Sequence, residues 1–210
     1  MDVKLKICGM KEPANILEVT ALLPDYLGFI FYQPSKRYID GLLPSFVKDL
    51  PAGIKKTGVF VDEELVKVAE LATLYGLNAV QLHGTESAAY CGELRAMLDD
   101  YGIEIIKAFG IHANFDFSIL SAYQAKVDYF LFDTQTPQHG GSGKVFDWSL
   151  LDGYKLTKPY FLSGGIGPDS IDELHKINDP RLFAIDVNSK FEVAPGLKNI
   201  DKLNDFKNRI

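Results

Sequence analysis

The chain has 210 residues, 47% of them apolar, enough for one domain with a sizeable core. Its 28 acidic and 22 basic side chains leave a net charge of −6, without the concentrated basic surface expected of a nucleic-acid binder. No apolar run approaches the roughly 20 residues that span a bilayer, and two cysteines provide neither a disulfide framework nor a zinc site. A reducing cytoplasm is therefore the expected compartment, with neither nucleic acid nor membrane as a partner.

Eight short apolar runs recur at intervals of 22 to 30 residues, closing near Cys8, Phe31, Val61, His83, Phe109, Asp133, Ser163 and Asp186. The N-terminal MDVKLKICGM starts a strand at Val3–Ile7 and lacks the apolar stretch of a signal peptide. Pro13 then suits the first turn of a helix bearing Ile16, Val19, Leu22 and Leu23. The second run, Tyr26–Phe31, is almost wholly apolar, as for a strand covered on both faces. A polar loop and a short helix near Leu43–Leu50 follow it. The third strand, Lys56–Val61, precedes Asp62, a residue able to cap the helix that carries Leu65, Val68, Ala69 and Leu71.

Strand four is expected at Ala79–His83, with a helix over Ser87–Tyr101; strand five is expected at Glu104–Phe109, with a weaker helix over Phe115–Tyr123. Strand six, Val127–Asp133, opens the longest loop, Thr134–Phe146. Strand seven, Tyr160–Ser163, enters Gly164-Gly165-Ile166-Gly167, and a helix starts near Asp169. Strand eight is Leu182–Val187, and a helix over Ile200–Ile210 closes the ring. Strand–helix alternation of this kind predicts an α/β fold, a single-domain (β/α)8 TIM barrel over residues 1–210. A doubly wound sheet would place a Gly-rich fingerprint after its first strand, where this chain has CGMKEP.

Active sites of such barrels gather at the strand C-termini, so Cys8 and Asp133 point at one pocket despite lying 125 positions apart. Cys8 is either a reactive thiol, with Lys6 on the same strand face favouring its thiolate, or a small buried hydrophobe. Asp133 ends an apolar strand, where partial desolvation would raise its pKa and suit it to general-acid work; the other reading is a local cap. His83 is an acid/base group or a polar residue of the rim. Gly140-Gly141-Ser142-Gly143 brings backbone towards a ligand or forms a mobile turn. The loops Ser163–Gly167 and Asp186–Ser189 occupy the usual phosphate position of this architecture, although ordinary turns favour the same residues. Arg37 offers a planar fork for a second anion, or is a solvated surface cation.

Six motifs occur in order at strand ends: Lys6-Ile7-Cys8-Gly9, Ser35-Lys36-Arg37-Tyr38, Gln81-Leu82-His83-Gly84, Phe132-Asp133, Gly140–Gly143 with Phe146-Asp147-Trp148, and Asp186-Val187-Asn188-Ser189. Through them the chain closely resembles the phosphoribosylanthranilate isomerase family of tryptophan biosynthesis over essentially its whole length. The resemblance implies an Amadori rearrangement of a phosphosugar by a cofactor-free, metal-free enzyme, a monomer or homodimer. It makes Asp133 the general acid and Cys8 the general base. It places the anthranilate carboxylate on Arg37 and the phosphate on the loops around Gly164, Gly165, Asn188 and Ser189; His83 and Gly141 are further substrate-binding candidates. Lys190 stands where many relatives have glycine, Asn199 where aspartate is usual, and Ser142 where threonine is commoner. The aminoaldose isomerase of histidine biosynthesis is a rival, but it uses carboxylates for both proton transfers, and Cys8 speaks against it. A binding-only barrel would have lost the acid or the base, and both are present.

Overall fold

A computed structural model describes residues 3–134 and 148–210. Eight parallel strands close into a barrel in chain order: β1 (Lys4–Ile7), β2 (Tyr26–Ile30), β3 (Lys55–Phe60), β4 (Ala79–Leu82), β5 (Glu104–Ile111), β6 (Tyr129–Thr134), β7 (Tyr160–Ser163) and β8 (Leu182–Val187). The ring is sealed where β1 pairs with β8, Lys6 opposite Asp186. Helices α1 (Pro13–Ala21), α2 (Pro44–Lys48), α3 (Leu65–Tyr75), α4 (Ala88–Leu98), α5 (Ile171–Leu174) and α6 (Ile200–Lys207) lie among these strands and beyond the last. A two-stranded hairpin, β9 (Glu192–Ala194) with β10 (Leu197–Lys198), follows β8. No helix among the described residues is long and apolar enough to cross a membrane.

Each strand is covered on both faces, which is why its sequence reads as nearly continuous hydrophobics. The outward side chains, such as Leu27, Phe29, Val80, Leu82, Phe130, Phe132, Ile185 and Val187, join one large core with the helices. The inward ones form a separate cluster of Tyr26, Ala79, Ile106, Ala108, Leu131, Phe161 and Ala184. Helix α1 shows how the outer layer is held. Pro13 pre-sets its first turn, and Ile16 and Val19, on one face, are fully buried. Each such side chain contributes roughly 1.5–3 kcal/mol.

Side chains alternate along a strand, so stepping two residues past the inner cluster reaches the rim. On β4 this step leads from Ala79 through Gln81 to His83; on β6 it leads from Leu131 to Asp133. On β7 it leads from Phe161 to Ser163, and on β8 from Ala184 to Asp186.

Three expectations change. Asp62 does not cap α3. Its backbone is left-handed (φ 50°), and its carboxylate accepts hydrogen bonds from Thr85 N at 2.6 Å and Thr85 Oγ1 at 2.9 Å, tying two rim loops together. Helix α3 instead starts after Glu64, without a side-chain cap. The segment after β5 forms a 3-10 turn, Phe117–Ala122, because Asp116 and Ser121 bond to nearby backbone and compete with the α-helical ladder. After β7 the helical stretch is a 3-10 turn, Pro168–Ser170, continued by the short α5.

Candidate active site

The strand C-termini surround a cavity of about 330 Å³ lined by Cys8, His83, Asp133, Gly164, Gly165, Asn188 and Ser189, together with Gln81, Asp186 and Lys190. Residues from β1, β4, β6, β7 and β8 or the loops after them thus meet around one space. Gly141 and most of the loop expected over 134–146 lie outside the described residues.

Cys8 follows β1, its N–H bonded to Val187 O at 2.9 Å, and its side chain is buried. The neighbouring strand β2 makes room for it. A Cβ at Gly28 would come within 2.7 Å of Cys8 Sγ, so only glycine allows the thiol its position. The next residue, Gly9, has φ 76° and lies against Arg37 and Asn188, where a Cβ would stand 2.7 Å from both.

Below the thiol, Lys6 Nζ and Asp186 Oδ1 form a buried ion pair at 2.9 Å. Burial pushes the Lys6 ammonium towards neutrality, but Asp186 and then Cys8 outweigh it and hold Lys6 charged. Burial pushes the Cys8 thiol up; Lys6 opposes this most strongly, Lys198 opposes it too, and Asp186 adds to the rise. The balance lies with the thiol: at rest it keeps its proton, because desolvation exceeds the help of the nearby cations.

On the opposite side, Asp133 Oδ2 lies 3.2 Å from His83 Nε2, both side chains partly exposed to the cavity. His83 Nδ1 lies 2.7 Å from Nε2 of Gln81, which is buried one inward position earlier on β4. Gln81 entered the sequence reading only as part of a motif; its alternation with His83 is the signal that marks it.

Arg37 is not part of the cavity wall. Its Nε donates to Glu192 Oε1 at 2.8 Å and Oε2 at 3.1 Å, and its Nη2 donates to Oε2 at 2.6 Å. That bidentate bond raises the guanidinium further above its ordinary range, despite burial. Glu192 also accepts from the buried Lys198 Nζ at 2.7 Å and from Gly196 N at 3.1 Å. Lys198 in turn donates to Asn188 Oδ1 at 2.7 Å, and Asn15 of α1 clamps its backbone from both sides, at 2.6 and 3.0 Å. Burial pushes the Lys198 ammonium down even with Glu192 beside it. No recognised motif or spacing points to Glu192 or Lys198: they reach the site through the β9–β10 hairpin.

Ser189 and Lys190 are exposed at the cavity edge, and the Lys190 stem packs over Gly167. Asn199 does what an aspartate would do there: its Oδ1 caps α6 by accepting from Lys202 N at 3.0 Å.

A model of the family "N-(5'phosphoribosyl)anthranilate (PRA) isomerase" matches residues 5–209. The N-(5'-phosphoribosyl)anthranilate isomerase of Parabacteroides distasonis is 45% identical over 209 residues, covering 98% of this chain and 92% of its own. The crystal structure of phosphoribosyl anthranilate isomerase from Thermotoga maritima superposes with a TM-score of 0.81 at 36% identity, covering 99% of this chain and 98% of that one. A phosphoribosyl anthranilate isomerase in complex with reduced 1-(o-carboxyphenylamino)-1-deoxyribulose 5-phosphate superposes with a TM-score of 0.78 at 32% identity, covering 99% of this chain and 97% of its own.

Proposed function

The chain belongs to the N-(5'-phosphoribosyl)anthranilate isomerase family, and on that premise we propose that Cys8 and Asp133 carry its two proton transfers. The reaction is the Amadori rearrangement of N-(5-phosphoribosyl)anthranilate to 1-(2-carboxyphenylamino)-1-deoxyribulose 5-phosphate, a step of tryptophan biosynthesis. The observation that carries the assignment is the placement of a buried thiol and a half-buried carboxyl around one cavity, from β1 and β6.

Asp133 gives its proton to the ring oxygen of the ribose. The C1′–O bond breaks, its electron pair stays on that oxygen, and the anilino nitrogen lone pair completes a C1′=N iminium. The iminium acidifies C2′–H. Cys8, once its own thiol proton has passed to solvent, takes the C2′ proton as thiolate. The C–H pair becomes the C1′=C2′ bond, the C1′=N pair returns to nitrogen, and the resulting enolamine tautomerises to the ketone. A base of modest strength suffices for so activated a proton. Lys6 and Lys198 are the cations that offset the cost of the thiolate while it exists.

The substrate phosphate rests against Gly164, Gly165, Asn188 and Ser189, with Lys190 as an added cation at the edge. The anthranilate carboxylate takes Nη1 of Arg37, because Glu192 uses Nε and Nη2. His83 lines the sugar side of the cavity. The enzyme works in the cytoplasm as one domain, a monomer or homodimer.

Fluorescence decay of freshly made phosphoribosylanthranilate tests the assignment. Wild type is expected to consume it rapidly, and Cys8→Ser and Asp133→Asn to be slower by about 100-fold or more. A full rate in either variant overturns the role given to that residue.

A further inference from the structure

Gln81 is buried inside the barrel and lies behind the two polar groups of the rim on the Asp133 side. Its amide nitrogen approaches His83 Nδ1 at 2.7 Å, and the other ring nitrogen approaches Asp133 Oδ2 at 3.2 Å. An amide N–H can only donate, so Nδ1 accepts and carries no proton. The neutral ring then has its single proton on Nε2 and donates it to Asp133.

We infer that Gln81 and His83 are positioning residues for the acid: Gln81 locks His83 in the Nε2–H form, and His83 occupies Oδ2 of Asp133, so that the acid's own proton resides on Oδ1. The inference rests on Asp133 being the general acid.

Three physical consequences support this arrangement. First, the reverse amide orientation would place a proton on Nδ1 and make Nε2 an acceptor. The Asp133 proton would then be drawn to Oδ2, facing His83 instead of the substrate. Second, the contact with His83 is the one side-chain hydrogen bond of Gln81 among the described residues, so no other polar partner there turns the amide away from the ring. Third, negative charge appears on Asp133 as its proton leaves. A hydrogen bond from Nε2–H strengthens as that charge develops and so favours the transition state over the ground state.

The test joins tautomer and rate. Two-bond ¹H–¹⁵N spectra of the ¹⁵N-histidine-labelled protein, with His83 assigned by its loss in His83→Gln, are expected to show the Nε2–H form. His83→Leu is expected to lower kcat about 10- to 100-fold with little change in KM. His83→Gln places an amide N–H near the former Nε2 and is expected to recover most of that loss. Gln81→Glu, whose carboxylate accepts from Nδ1–H, is expected to switch the ring's protonation and to lower kcat although His83 is still present. A purely structural role would not move the tautomer. An Nδ1–H ring in the wild type, or an unchanged kcat in both His83→Leu and Gln81→Glu, overturns the inference. If His83→Leu fails to fold, the wild-type spectrum and Gln81→Glu decide alone. Asp133→Asn at full rate would instead overturn the acid assignment itself.

Discussion

Lys6 and Asp186 face each other across the seam that closes the barrel, opposite in register and joined by a buried ion pair at 2.9 Å. The seam therefore serves stability and chemistry together, since the same two charges act on the Cys8 thiol in opposite directions.

Lys6→Met leaves a buried carboxylate unpaired and is expected to cost about 3–5 kcal/mol. Urea unfolding measures that loss. In the folded fraction Cys8 also loses its largest opposing influence, so alkylation by iodoacetamide at pH 8 is expected to slow. Faster alkylation than wild type would contradict this account of the thiol.

The raised Cys8 pKa has a sign that stability measurements can read. The native thiol keeps its proton at a pH where the unfolded chain has lost it, so its contribution is complete below the unfolded value, about 8.5. That contribution declines as pH rises above this value towards the folded one. Above about pH 8.5 the wild type is expected to lose stability more steeply with rising pH than Cys8→Ser. Parallel slopes in urea midpoints would show that the thiol is not shifted upward.

Glu192→Gln keeps an acceptor but removes the charge that organises Arg37 and Lys198. KM is expected to rise about tenfold while kcat changes less, the loss matching one charge-assisted hydrogen bond. An unchanged KM would remove Arg37 from the anthranilate site.

Gly28→Ala tests the space reserved for the thiol. Its Cβ would press to 2.7 Å from Cys8 Sγ, so the thiol or the strand must shift. Overpacking of this kind costs about 1–3 kcal/mol, and a displacement of about 1 Å at a reacting atom lowers kcat about 100-fold. Steady-state kinetics beside thermal unfolding separates the two effects.

The barrel was legible in the sequence because strands buried on both faces leave unbroken apolar runs, and β7 and β8 occur over the residues expected. Cys8, His83 and Asp133 were legible because strand ends mark the rim. The end of β3 was misread: nothing local reveals that Asp62 turns left-handed and bonds to Thr85 across the gap to the next loop. The state of Cys8 stayed open in the sequence, because a nearby lysine is visible there, whereas the degree of burial that outweighs it is not. Arg37 was recognised, but its partner Glu192 lies 155 positions away and becomes a neighbour only after the ring closes.

The strands form a partition one residue thick between two separate apolar masses, an outer one shared with helices and an inner one below the cavity. Neighbouring positions on β6 therefore answer to different demands: Phe132 belongs to the foundation, and Asp133 faces the chemistry. Positions such as Lys6 and Asp186, which seal the ring and also act on the reacting thiol, answer to both demands at once.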